Sequence, residues 1–219
     1  MKTVLVASLL FFMSMQSVDA YVPNLITQET LSDITIIDDP VLSQAFYGSL
    51  QSFPHTYEIR SSVPFHLSTK ILIPDIEASK NNISGIVIKL PEGRGRVTEV
   101  ASLEAKNAKW ESMYDPVGGD SYREGPSFEG ELSAGSYRIE VHTPDNAEKY
   151  VLVVGTREDM SIGYFETLKR LLKVKEFFGK SPVRIVESPL VYIPLVIISV
   201  VGVGVWYVRQ RRRSIEMVQ

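Results

Sequence analysis

Short runs of alternating apolar and polar residues dominate the chain between residues 21 and 160. They are rich in Val, Ile, Tyr and Phe, and Gly, Pro, Asn and Asp separate them. The runs are 34–37, 56–59, 64–73, 84–90, 97–103, 109–114, 127–132, 136–142 and 149–154. The alternation is clearest where Tyr137, Ile139 and Val141 point to one side. Since no helical pattern lies between the runs, they predict an all-β domain of two packed antiparallel sheets rather than a parallel α/β sheet.

Residues 161–180 follow a helical periodicity instead. Phe165, Leu168 and Leu172 lie near one face, and most of the basic residues lie elsewhere, which predicts an amphipathic helix. Two placements remain open. The helix either packs on the sandwich, which is favoured because helices that follow a sheet usually cover it, or lies on the outer bilayer surface with its lysines near lipid phosphates. Residues 181–189 contain two prolines and are predicted to be a short linker.

Residues 190–208 form a run of 19 residues without a charge. That length is close to the roughly 20 residues that cross the hydrocarbon core of a bilayer. Tyr192 lies near one end and Trp206 near the other, where aromatic rings favour the headgroup region. Four arginines occur in the tail, residues 209–219, and the positive-inside rule predicts that this tail is cytoplasmic.

Residues 1–20 have the parts of an export signal. Lys2 precedes an apolar stretch that is too short to span a bilayer comfortably, and small residues near Ala20 predict cleavage before Tyr21. An uncleaved N-terminal anchor is the alternative. Together the two ends predict a single-pass plasma-membrane protein with its N-terminus outside the cytoplasm.

Charge is unevenly distributed along the mature chain. Residues 21–160 contain 21 acidic and 12 basic residues, a net charge of −9, whereas residues 161–189 contain 3 acidic and 6 basic residues, a net charge of +3. An acidic domain on a basic stem argues against a nucleic-acid ligand, because phosphate binding needs clustered Lys and Arg.

The chain contains no cysteine. This excludes disulfides, cysteine nucleophiles and thiolate metal sites, and it favours a prokaryotic cell surface over a eukaryotic secretory pathway. Asn82 begins an Asn-Ile-Ser sequon, although Asn81 and Asn82 are equally typical of a turn.

Residues 132–155 resemble the closing hairpin of bacterial pre-peptidase C-terminal (PPC-like) domains. The matching positions are Leu132, Gly135, Tyr137, Ile139, Val141, Tyr150 and Leu152. The resemblance implies a jelly-roll β-sandwich that acts as a binding or accessory module without a catalytic centre. The order of signal, sandwich, helix, span and short tail also resembles the GOLD-domain (p24) cargo receptors, but their paired cysteines and tail motifs are absent.

A turn-rich segment, residues 114–126, is the candidate site, and three interpretations of it remain open. Asp115, Asp120 and Glu124 offer oxygen ligands for calcium, with glycines that permit a tight wrap. Apart from calcium, no cofactor is predicted. Another interpretation is an ordinary long loop, in which Asp, Pro and Gly form turns.

The remaining interpretation of this segment is a recognition surface. Trp110, Tyr114 and Tyr122 are close enough in sequence to form an aromatic platform for a glycan or a peptide. In the loop interpretation the same rings close the edge of the core.

Motifs of catalysis are absent from the sequence. His55, His66 and His142 lack metal-ligand spacing, and there is no GxSxG elbow or phosphate-binding loop. His66 and His142 are expected to face solvent. The sequence therefore predicts a non-catalytic, membrane-anchored interaction module with a protein or glycan ligand. The alternatives are an accessory subunit of a membrane complex, a p24-like cargo receptor and a membrane-tethered metal-dependent hydrolase.

Overall fold

The computed structural model describes residues 21–157 and 163–216. The predicted export signal, residues 1–20, lies outside the described residues. So do residues 158–162, which include the first two positions of the predicted amphipathic helix, and the last three residues of the tail.

The alternating runs form strands that lie in two sheets. In chain order the strands are β1 (Val22–Leu25), β2 (Ile34–Ile37), β3 (Gln44–Ser49), β4 (His55–Ser61), β5 (Phe65–Pro74), β6 (Ser84–Lys89), β7 (Thr98–Leu103), β8 (Glu111–Asp115), β9 (Asp120–Leu132), β10 (Gly135–His142) and β11 (Lys149–Val154). One sheet has the order β1-β3-β11-β5-β9-β8 and the other β2-β4-β10-β6-β7. The predicted β-sandwich is confirmed.

The two sheets are mixed rather than purely antiparallel. β1 pairs with β3 in parallel, and β2 pairs with β4 in parallel, whereas the other paired strands are antiparallel. The reason is the path of the chain. The first four strands alternate between the sheets, so each edge strand lies beside the next strand but one, which runs in the same direction.

The main core lies between the sheets. Tyr137, Ile139 and Val141 are all buried there, as their alternation predicts. Tyr150, from the neighbouring sheet, hydrogen bonds through its hydroxyl group to Tyr57 at 2.7 Å and to Nδ1 of His55 at 2.8 Å. The two tyrosine hydroxyl groups and Nδ1 of His55 thus satisfy one another inside the core, whereas Nε2 of His55 is buried without a hydrogen-bond partner among the described residues.

Helix α1 (Tyr164–Phe177) packs on the outer face of the six-stranded sheet. Val174 is buried against a second apolar cluster that includes Tyr47 and Tyr122. The favoured placement of the amphipathic helix, packed on the sandwich, is therefore confirmed. Gly179 has a φ of +67°, a conformation that favours glycine, and it follows the end of the helix.

The segment after α1, which was predicted to be a short linker, contains helical structure. Residues Pro182–Glu187 form a short 3-10 helix, and helix α2 (Pro189–Glu216) begins two residues later. Helix α2 contains the predicted span and continues helically beyond residue 208. Its segment Pro189–Tyr207 is long and apolar enough to cross a membrane.

Candidate functional site

The predicted loop at residues 114–126 is a β-hairpin with a tight turn. β8 and β9 pair as far as Asp115 and Asp120, which lie directly opposite each other. The Gly119 N–H donates to the Asp115 carbonyl oxygen at 2.8 Å, and the Val117 N–H donates to Oδ1 of Asp115 at 2.9 Å. Gly119 has a φ of +68°. The predicted turn chemistry is therefore confined to residues 115–119, and the segment is shorter as a loop than expected, because residues from Asp120 onward belong to strand β9.

Two lysines neutralise Asp120. Lys175 Nζ, on α1, donates to Oδ2 at 2.8 Å, and Lys180 Nζ donates to Oδ1 at 2.5 Å. The side chains of Asp120 and Lys175 are 2% and 1% exposed. Because a buried charge is costly unless it is paired, the cluster holds the end of α1 firmly against the hairpin.

Asp115 lies beside this cluster. Burial raises the pKa of its carboxyl group, although hydrogen bonds from the backbone of Gly118 and Val117 act in the opposite direction. The charge of Asp120 adds to the rise and that of Lys175 opposes it.

The third candidate calcium ligand, Glu124, is engaged elsewhere. Its Oε2 accepts a hydrogen bond from Lys70 Nζ, on β5, at 2.9 Å. Across the described residues, no group of three or more His, Asp or Glu side chains is arranged to hold a metal ion. The positive charges next to Asp120 and Glu124 are lysine ammonium groups, which bind the carboxylate oxygens that would otherwise be available to a calcium ion.

The three aromatic residues do not form one platform. Trp110 packs against the core between the sheets, and its ring covers Gly125. Tyr122 is buried on the opposite face of the same sheet, beneath α1, while Tyr114 is exposed at the edge strand. The platform prediction requires all three rings on one surface. Tyr122 pairs with Met113 on the face covered by α1, and alternation along β8 places Tyr114 on the other face.

The hairpin turn is the point where the segment that leads into helix α2 attaches to the sandwich. The Ser188 hydroxyl donates to the Val117 carbonyl oxygen at 2.5 Å. Lys175 Nζ also lies 3.4 Å from the Gly119 carbonyl oxygen. A Cβ atom at Gly119 would stand 3.1 Å from the backbone carbonyl carbon of Glu187, so the two backbones are in close contact. We call this attachment, formed by residues 115–120 with Lys175, Lys180 and Ser188, the stalk junction.

The acidic residues of the stalk junction, Asp115 and Asp120, could be selected from the sequence, but the residues that contact them from α1 and beyond could not. Lys175, Lys180 and Ser188 lie about 60 residues away from the turn in sequence, so spacing gives no signal for them. The uneven charge was the available signal, because an acidic domain next to a basic stem predicts ion pairs between the two. The histidine prediction is confirmed for His66 and His142, whose side chains reach solvent.

A polar groove runs along the other side of the hairpin, between the edges of the two sheets. It has a volume of about 640 Å³. Its lining comes from β7, the segment that follows it, β8 and β9, and includes Glu104, Lys109, Ser112, Glu124 and Ser127. The groove is open to solvent and carries both signs of charge.

Comparisons with known proteins find weak likenesses to solved structures. No protein family model and no curated protein sequence matches it. Among solved structures, it is similar to the pre-peptidase C-terminal domain of a collagenase from Bacillus anthracis, with 10% identity, a TM-score of 0.35 and coverage of 58% of this chain and 98% of that one. The family that residues 132–155 resemble is thus found among the structural neighbours, at the level of the fold alone.

Two further structures show similarly weak likenesses. CorA, described as a surface-associated copper-binding protein of Methylomicrobium album BG8, has 8% identity and a TM-score of 0.30, over 57% of this chain and 98% of that one. A β-glucosidase from Paenibacillus barengoltzii has 7% identity and a TM-score of 0.27, and the match covers 64% of this chain and 14% of that one. No argument about function rests on these likenesses.

Proposed function

We propose that the protein is a membrane-anchored, extracytoplasmic, non-catalytic binding module. The stalk junction is the observation that supports this function most directly. It fixes a folded β-sandwich to the start of a helix whose apolar side chains are largely exposed. Exposure of such an apolar surface to water is unfavourable, whereas the interior of a bilayer is an apolar environment that accommodates it.

The orientation follows from the charges that flank the helix. Arg209, Arg211, Arg212 and Arg213 keep the C-terminal tail in the cytoplasm by the positive-inside rule, and the sandwich then lies outside. The predicted signal at residues 1–20 agrees with export of the sandwich across the plasma membrane.

A non-catalytic role is supported by how the acidic groups are used. Asp120 is neutralised by two lysines and Glu124 by a third, so neither carboxylate is available as a free acid or base. A metal-dependent hydrolase needs carboxylate or histidine ligands that converge, and the described residues offer no such group. The groove along the hairpin is the face that we propose for a protein or glycan ligand, because its mixed charge and open shape fit a polar partner.

Single cysteines test the orientation, because the chain contains none of its own. Glu92→Cys lies in an exposed turn of the sandwich, and Ser214→Cys lies in the tail. A membrane-impermeant maleimide applied to intact cells is expected to label the first variant and not the second until the cells are permeabilised. Labelling of Ser214→Cys alone would reverse the orientation and overturn the proposal.

Photo-crosslinking in the membrane tests the binding role. A crosslinking amino acid replaces Ser112, in the groove, or Ser32, exposed at the opposite sheet edge, and captured partners are identified by mass spectrometry. One reproducible partner from Ser112 and none from Ser32 would support the groove as the ligand face. Capture only from positions in α2, lost when the span is replaced by an unrelated one, would instead identify a subunit of a membrane complex.

A further inference from the structure

Helix α1 has a second amphipathic side that faces away from the sandwich. Phe165, Lys169, Leu172 and Lys173 follow one another at spacings of four, three and one residues, which places them on one side of the helix. All four are exposed, and Phe165 is 82% exposed. Val174, on the opposite side, is buried. We call these four residues the outer stripe.

The outer stripe is continuous with the start of the apolar helix α2. The Tyr164 hydroxyl group donates to the carbonyl oxygen of Leu190 at 2.5 Å, so the first turn of α1 lies against the first turn of α2. Between them, the 3-10 helix presents Val183 and Val186, which are 71% and 47% exposed. Exposed apolar side chains therefore surround the point where the predicted span begins.

The basic residues of α1 differ in whether a carboxylate group pairs with them. On the packed side, Lys175 is bound to Asp120, and Arg170 pairs with Glu166. Lys169 and Lys173, on the outer stripe, have no carboxylate partner among the described residues. An outer stripe that combines large apolar side chains with unpaired lysines has the composition of helices that lie in the membrane interface.

We propose that the outer stripe, with Val183 and Val186, lies on the headgroup region of the bilayer that α2 spans. Phe165 and Leu172 enter the boundary of the acyl chains, and Lys169 and Lys173 bind lipid phosphates. The proposal rests on the proposed membrane anchoring. It makes α1 a two-sided element, with one side bound to the sandwich and the other to lipid.

The charge distribution favours lipid over a protein partner. Residues 161–189 carry a net charge of +3 and the sandwich that they support carries −9, counted over residues 21–160. An anionic membrane surface attracts the basic segment 161–189 and repels the acidic sandwich. It therefore turns the outer stripe toward the bilayer and the bulk of the sandwich away from it.

Fluorescence quenching by lipids tests this placement. Single-cysteine variants of the full chain, labelled with bimane, are reconstituted into vesicles of phosphatidylcholine and phosphatidylglycerol. One set of vesicles contains a lipid with a nitroxide near its headgroup, which quenches residues at the bilayer surface. A second set contains a lipid with a nitroxide in the middle of its acyl chain, which quenches residues inside the span. Leu172→Cys reports on the outer stripe and Val200→Cys on α2. Glu92→Cys is the control, because the pairing of Lys89 with Tyr137 places this turn at the end of the sandwich far from the stalk junction.

We expect strong quenching at positions 172 and 200 and none at position 92. Quenching at 200 with a value at 172 equal to that at 92 would overturn the outer-stripe proposal while leaving the anchoring intact. Absence of quenching at 200 would show that the anchoring itself fails. The two failures are therefore distinguishable.

The double substitution of Lys169→Glu and Lys173→Glu tests the contact with phosphate. In vesicles with phosphatidylglycerol, we expect it to reduce the quenching at position 172 at least two-fold, and to have a smaller effect in phosphatidylcholine alone. Equal quenching with and without the lysines in anionic vesicles would overturn the role of the lysines.

Discussion

Lys175 is almost completely buried, so the free energy of its ammonium group depends on Asp120. Asp120→Asn removes the negative charge that Lys175 and Lys180 share. We expect this change to lower the free energy of unfolding by about 3 kcal/mol, since removal of one partner leaves a buried charge uncompensated. Urea denaturation of the full chain in detergent micelles, followed by circular dichroism of the β-structure, measures the loss.

Two further variants separate the ion pair from a general effect on packing. Lys180 is more exposed than Lys175, so Lys180→Gln is expected to cost less than Asp120→Asn. Lys175→Met combined with Asp120→Asn removes both buried charges and is expected to recover part of the stability. A double variant that is no more stable than Asp120→Asn alone would contradict the ion-pair explanation.

Asp115 has an effect on stability that depends on pH. Burial raises the pKa of its carboxyl group in the folded protein above the ordinary value of 3.8. The folded state therefore binds this proton more tightly than the unfolded state. The contribution of Asp115 to stability is complete below pH 3.8, and it is lost as the pH rises through the folded pKa.

Asp115→Asn removes this dependence, because the amide group carries no charge at any pH. We expect the variant to gain stability relative to the wild type as the pH rises from 4 to 7. The amide oxygen still accepts the hydrogen bond from the Val117 N–H. Thermal unfolding at both pH values measures the difference. A difference between the two proteins that stays constant with pH would contradict the role of burial.

At the level of elements, Gly119 determines how closely the hairpin approaches the stalk. Gly119→Ala would strain a backbone with φ of +68° and would bring the new Cβ within 3.1 Å of Glu187. Gly93→Ala is the matched control, because Gly93 has a φ of +80° with no atom within 4 Å of the new Cβ. The difference between the two variants isolates the contact with the stalk.

We expect Gly119→Ala to cost about 1 kcal/mol more than Gly93→Ala, and to increase trypsin cleavage after Arg184. Limited proteolysis of the full chain in micelles, at equal protein and protease concentrations, compares the rates. Equal rates in the two variants would show that the approach of the hairpin to residue 187 does not hold the 3-10 helix in place.

The elements with regular alternation could be predicted from the sequence, and the irregular ones could not. The bounds of β2 and β11 agree with their predicted runs. β1 and β3 were missed because Pro23 and Gly48 interrupt the pattern. Gly48 has a reason that only the fold reveals, since a Cβ there would stand 2.7 Å from the ring of Tyr150, on the neighbouring strand.

The start of β9 was also missed, for a chemical reason. Aspartate is typical of turns, but Asp120 pairs with Asp115 in the β8–β9 ladder, and Lys175 neutralises its buried side chain. Long-range ion pairs of this kind leave no periodic signal along the chain. The candidate segment could be selected from its composition, whereas the lysine that pairs with Asp120 comes from α1, 55 residues later.

For the whole molecule, the second apolar cluster, between α1 and the six-stranded sheet, determines where the chain can be truncated without exposing apolar surface. The outer face of the six-stranded sheet exposes Tyr47, Tyr122 and Val151 once α1 is removed. Leu171 and Val174 are nearly inaccessible in the intact protein. Burial of each such side chain stabilises the fold by roughly 1.5–3 kcal/mol, so α1 is part of the folded unit rather than a flexible connection to the membrane.

A chain that ends at residue 157 is therefore expected to be less stable than one that ends at residue 187. Both begin at residue 21 and both lack the apolar helix α2. We expect the shorter chain to self-associate through its exposed sheet face, and the longer one to remain monomeric in light scattering, because α1 then covers that face. Val174→Asp in the longer chain is expected to reproduce the behaviour of the shorter one, since it places an unpaired charge in the cluster. If both chains were monomeric and unfolded at the same urea concentration, α1 would contribute nothing to the fold, and its role would be confined to the membrane.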